Sequence, residues 1–177
     1  DADSIYDVPV LMMKEGLDKE VLRKTNTQYE GEADIENWKQ FLQRLHNPKH
    51  EITVALVGKY VELKDAYKSI REALIHGGVA NETKVHIKSI HSEEITRENA
   101  KDILAGVDGI LVAPGFGSRG VEGKINAVEY ARVNNIPFMG ICLGMQCAVI
   151  EFARNVLGYT DAHSREMDND TKHPVID

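Results

Sequence analysis

The stretch IPFMGICLGM, residues 136–145, decides how this chain is read. Its first half is a short apolar run that reads as a strand. From residue 142 the pattern CLGMQCAVIEFARNVLG takes a helical period. Between the two stands GICLG, Gly140 to Gly144. It has the form G-x-nucleophile-x-G, a sharp turn that lifts the central side chain above the sheet. The glycines have a geometric reason. Such a turn forces the residues two before and two after the centre together, and a Cβ at either would crowd. Cys142 then lies at a helix N-terminus, where free N–H groups and the helix dipole favour thiolate over thiol. The Leu143 N–H points where an oxyanion would form. A lone cysteine is more often a buried packing residue. Cys147, on the apolar side of the helix, fits that description; for Cys142 the flanking glycines favour a nucleophile.

Outward from this turn the chain alternates. ITVALVG (52–58) is an apolar, β-branched run of the kind expected in a buried parallel strand. DAYKSIREALIHGG (65–78) predicts a helix ending at Gly77-Gly78. KVHIKSI (84–90) alternates like a less buried strand, and ITRENAKDIL (95–104) predicts a helix. DGILVA (108–113) is a strand, EGKINAVEYARVN (122–134) a helix and IPFMGI (136–141) a strand. Four β-α steps predict an α/β fold, an open parallel sheet with helices on both faces. Sites in such sheets lie beyond the carboxyl ends of the strands, here after Gly58, Ala113 and Ile141. Before residue 51 the chain is different in character. EADIENWKQFLQRLHN places Ile35, Trp38, Leu42 and Leu45 at helical spacing, with Trp38 a packing residue. The tail turns apolar at its end, as a strand would begin.

The composition sets bounds. A chain of 177 residues can build one good core with a short appendage. A formal charge of −7 with no basic stripe argues against nucleic acid. Two cysteines five apart make no disulfide framework, which favours a reducing compartment. No apolar run approaches the ~20 residues of a membrane span. A soluble, cytoplasmic protein is expected. The chain begins with Asp1, so it is read as processed or cut from something larger. No histidine, cysteine or acid cluster has metal-ligand spacing, so no metal is expected in this segment.

GFGSRG (115–120) fits the dinucleotide spacing G-x-G-x-x-G. A dinucleotide loop belongs in the first βα turn, whereas this one follows the third strand. A non-enzymatic dinucleotide-binding module is the reading this position disfavours. Gly58-Lys59 lacks the remaining glycine and the Ser/Thr of a phosphate loop.

GICLGMQ resembles the nucleophile motif of class I glutamine amidotransferases, which have a flavodoxin-like fold. Together with SIYDVP, VGKYVELKDAYKSIREAL, GFGSRGVEGK and NNIPFMGICLGMQ, it resembles the CTP synthase family along nearly the whole chain. The alternative is the glutaminase domain of another class I amidotransferase. The resemblance implies a tail of the synthetase domain over 1–24, a linker helix over 25–50 and a partial amidotransferase domain over 51–177, incomplete at its C-terminus. It implies glutamine hydrolysis through a cysteinyl thioester, with the ammonia used in ATP-dependent amination of UTP to CTP. GTP is the implied activator and a homotetramer the implied assembly. Magnesium and ATP belong to the synthetase half, with no cofactor in this segment. By position, Cys142 is the nucleophile, and Leu143 and Gly115 are oxyanion donors. Gly115, Leu143, Gly144, Met145, Gln146 and Glu166 would hold glutamine, with Glu166 facing its ammonium. Phe116 and Arg119 match positions associated with GTP.

The chain departs from the family in three places. Many members read Pro-Gly-Gly-Phe-Gly where this chain reads Ala113-Pro114-Gly115-Phe116-Gly117. Proline has no N–H, so Gly115 is the expected donor. Lys64 stands where some members have proline. The His-Pro-Glu that supplies base and acid in the family has no match, since His173-Pro174 is followed by Val175. The segment alone is therefore expected to turn over glutamine poorly.

Overall fold

A computed structural model describes every residue except Asp1, Asp3, Glu30 and Lys64; the departure at Lys64 thus lies outside the described residues. The chain divides into two compact units, one of residues 1–50 and 76–84, the other of 51–75 and 85–177.

In the first unit, Ser4 caps a 3-10 turn over Ile5–Asp7 with a reciprocal capping box. Helices α1 (Val8–Lys14), α2 (Leu17–Thr25) and α3 (Glu36–His46) follow. Gly16 joins α1 to α2 at a φ of 76°, a left-handed turn that glycine makes without strain. Trp38 is a packing residue. It stacks on Phe41 with ring centroids 5.2 Å apart, and its Nε1–H donates to the Tyr6 carbonyl at 2.9 Å. A groove of about 600 Å³ in this unit is lined by apolar residues including Met12, Met13, Leu17 and Leu22.

The second unit carries most of a four-stranded sheet in the order β2-β1-β3-β4. The strands are β1 (His50–Gly58), β2 (Thr83–His91), β3 (Gly109–Val112) and β4 (Phe138–Gly140). β3 pairs in parallel with both β1 and β4. The alternation along β1 and β3 sorts their side chains between two cores. Ala55, Val57, Ile110 and Val112 join α6 (Val121–Val133) and α7 (Leu143–Asn155) on one face. Val54, Leu56 and Leu111 join Tyr67, Ile70 and Leu74 on the other, the last two from α4 (Lys68–Ala80). Helices on both faces explain why the buried stretches of these strands, residues 54–57 and 110–112, are apolar at successive positions.

Two expectations are corrected. Helix α4 does not stop at Gly77-Gly78 but runs to Ala80. Gly78 is buried, the Asn81 side chain donates to the Gly77 carbonyl, and the chain turns at Glu82 with a φ of 51°. The helix expected over 95–104 shrinks to α5 (Ala100–Ile103). Thr96 and Asn99 exchange side-chain-to-backbone bonds at 2.8 and 3.3 Å, holding the preceding residues as turns. The apolar tail does form a strand. β6 (Pro174–Ile176) pairs in parallel with β5 (His163–Ser164) in a separate two-stranded sheet.

Candidate active site

Cys142 sits where β4 hands over to α7. Its backbone has φ 52° and ψ −110°, a region that non-glycine residues rarely enter and that costs on the order of 1–3 kcal/mol. The neighbours hold it there. A Cβ on Gly140 would lie 2.4 Å from the Gly144 carbonyl carbon, and one on Gly144 would lie 2.1 Å from the Val112 oxygen. Both glycines are therefore required by close approach, and the side chain they frame is exposed. Cys147, one turn further along α7, is fully buried. Burial pushes its thiol up to about 11, which keeps it protonated and inert.

The Ala113–Gly117 loop leaves the end of β3 beside this turn. A Cβ on Gly115 would stand 3.6 Å from Leu143 Cδ2, so the residues carrying the two expected donors are neighbours. Among the described residues, neither the Gly115 nor the Leu143 N–H has a hydrogen-bond acceptor. Gly117 and Gly120 sit at φ 69° and 71°, and a Cβ on Gly120 would lie 2.4 Å from Ser92 Oγ. The spacing of GFGSRG thus answers to turn geometry.

Two lysines grip this loop. Lys59, nearly buried, donates through Nζ to the Phe116 carbonyl and, at 2.7 Å, to that of Gly117. Lys124, fully buried, donates to the Ala113 carbonyl at 2.6 Å, with the Pro114 oxygen at 3.5 Å. Burial lowers the Lys124 ammonium to about 8, with Lys59 adding to the fall, while the neighbouring Cys147 and Cys142 act the other way. Lys59 is also lowered, chiefly by burial and then by Arg119.

The remaining expected residues scatter around this centre. Gly144 is buried, Gln146 is half-buried and Met145 is exposed. Glu166 is exposed, its N–H donates to Ser164 Oγ at 3.2 Å, and its charge reaches Lys59. Phe116 is 85% exposed. Arg119 is paired with Glu93 at 2.5 Å and lies 5.7 Å from the Tyr60 ring centre. His173 pairs with Asp161 at 2.5 Å and stacks on Tyr159. Among the described residues no three His, Cys, Asp or Glu side chains gather as a metal site. Among the described residues no helix is long and apolar enough to cross a membrane.

Sequence reasoning passed over both lysines as binding-loop parts. Lys59 drew notice only as a failed phosphate loop. Lys124 carried a trace that could have been followed. It takes the i+3 place in the stripe Val121, Lys124, Val128, whose members are all buried.

A strained, exposed cysteine on a glycine-framed strand-to-helix turn, beside N–H groups that find no acceptor among the described residues, marks the centre of this α/β domain. The family model for glutamine amidotransferase class-I matches residues 62–177, and the chain belongs to that family. Nearly all of the chain is also similar to CTP synthases. It is 62% identical over 176 residues to the CTP synthase of Flavobacterium psychrophilum, covering 99% of this chain and 33% of that protein. It is 64% identical to that of Cytophaga hutchinsonii over the same shares. The chain thus spans about a third of the length of the curated relatives it matches. A solved structure, the Trypanosoma brucei CTPS glutaminase domain with bound acivicin, matches with a TM-score of 0.65 and 43% identity. That match covers 69% of this chain and 48% of the other.

Proposed function

We propose that this chain is the nucleophile-bearing part of the glutaminase of a glutamine-hydrolysing CTP synthase. The observation that carries the proposal is the strained backbone of Cys142, held between Gly140 and Gly144. The Cys142 thiolate attacks the amide carbon of glutamine, and the oxyanion is met by the Leu143 and Gly115 N–H groups. The C–N bond then breaks, ammonia leaves with a proton, and water cleaves the thioester to glutamate. Glu166 faces the substrate ammonium, while Gly144, Met145 and Gln146 line the substrate. The base that moves the proton is expected outside this chain.

In the longer protein the ammonia goes to the ATP-dependent amination of UTP, a step that belongs to a domain this chain does not include. GTP acts through Phe116 and Arg119, and the whole assembles as a cytoplasmic homotetramer. Exposure of Phe116 supports the effector reading, since an aromatic ring left in solvent is available to stack on a base.

The test uses the intact protein and a glutamine analogue carrying an electrophilic carbon. Peptide mapping should place the adduct on Cys142. Cys142→Ala should lower glutamine-dependent CTP formation roughly 10³-fold or more and spare formation from added ammonia. An adduct elsewhere, or loss of both activities, would overturn the reading.

A further inference from the structure

Lys124 is fully buried, yet no carboxylate is among its hydrogen-bond partners. Its ammonium is spent on two backbone carbonyls, Ala113 at 2.6 Å and Pro114 at 3.5 Å. Burying a lysine without a counter-ion is costly, so the contact invites a reason. Peptide geometry supplies one. The Pro114 carbonyl and the Gly115 N–H belong to the same planar unit, and in a trans peptide they point to opposite sides. A cation drawing the carbonyl one way turns the N–H the other way.

Such control is needed here. Gly115 has no side chain to resist rotation, and Gly117 already takes a left-handed conformation. Lys59 holds the Phe116 and Gly117 carbonyls, further along the loop. Neither of those belongs to the peptide that carries the Gly115 N–H. Among the described residues, Lys124 is the one side chain that bonds to that unit.

We infer that Lys124 is a positioning residue for the oxyanion site, its ammonium fixing the Pro114–Gly115 peptide so that the Gly115 N–H stays available to the oxyanion. The inference rests on the glutaminase reading above. It assigns Lys124 no contact with substrate. A lysine that merely filled space would change stability when replaced and leave the chemical step alone.

The experiment compares wild type and Lys124→Met in the intact protein. Methionine keeps an unbranched apolar stem and removes the charge. The variant should lose about tenfold in kcat for glutamine hydrolysis, with KM within about twofold, because the donor acts in the transition state. Alkylation of Cys142 by iodoacetamide, which needs no oxyanion donor, should fall much less than kcat, by no more than the thiolate lost when the nearby Lys124 charge is removed. An unchanged kcat, or a loss confined to KM, overturns the inference. Wild type that hydrolyses no glutamine sinks the glutaminase reading itself, and the inference with it. A second measurement needs no variant. In [1-13C]proline-labelled wild type the Pro114 carbonyl resonance, which belongs to the same peptide as the Gly115 N–H and does not exchange with water, should titrate with a midpoint of about 8, where Lys124 loses its proton. A resonance that does not move between about pH 6 and 10 overturns the inference even if the variant fails to fold.

Discussion

Cys142 and Cys147 lie on one short stretch of chain and have opposite fates. The first has strained backbone and an exposed thiol; the second has ordinary helical backbone and no exposure. Thiol chemistry is the same in both, so the difference is made by what surrounds them. At Cys142 two glycines let the chain turn where a Cβ could not fit, and the side chain is pushed outward. At Cys147 the helix points the side chain into the core formed with Val57, Val112 and Ile150. Reactivity here is a property of backbone geometry and burial, set within five residues.

The comparison can be broken most severely at Gly144. Gly144→Ala places a methyl 2.1 Å from the Val112 carbonyl oxygen, and the backbone of α7 must move away from β3. A loss of roughly 3–4 kcal/mol is expected, read as a lowered unfolding midpoint, together with loss of Cys142 labelling. Retention of both would show that the turn does not depend on this approach.

The buried thiol gives the next largest effect, and it depends on pH. Its folded value, about 11, lies above an ordinary value of 9.0, so folding favours the protonated form. The associated stability is present below pH 9 and is lost as pH rises through 11, by about 3 kcal/mol at most. Cys147→Ala should lack that decline, so the gap between wild type and variant should narrow from pH 9 to 11. Lys124 acts in the opposite sense. Its folded value of about 8 lies below 10.5, so its burial cost is relieved as pH rises between those values. A gap of constant width across the alkaline range would contradict the assignment to Cys147.

The smallest effect is the most pointed. Cys142→Gly removes the proposed nucleophile but fits the positive φ, so the variant should be inactive on glutamine and more stable by about 1 kcal/mol. A less stable variant would mean that the Cys142 backbone is not strained.

Much of this was readable from the chain, and the exceptions share a cause. GICLG declared its turn because the constraint is local: two glycines and one nucleophile in five residues. The β-α alternation around it declared the sheet for the same reason. The end of α4 was misplaced because glycines at 77 and 78 usually stop a helix, whereas here Gly78 is buried and the stop falls at Ala80. Helix α5 was overestimated because Thr96 and Asn99 bond each other's backbone, a competition that periodicity does not show. Lys124 was missed because a lysine in a helix reads as solvated, and its carbonyl partners come from a loop ten residues away. The apolar tail announced β6, but its partner β5 is only two residues long, too short for a pattern to register.

The contact between Gly144 and the Val112 carbonyl has one further consequence. It seats the first turn of α7 directly on the backbone of β3, with no side chain between them to act as a cushion. Side chains elsewhere in a core can change rotamer and absorb small errors of alignment. This joint has no such play. Cys142 is in effect bolted to an inner strand, and its position relative to the Gly115 loop, which leaves that same strand, carries the small tolerance of backbone lying directly on backbone.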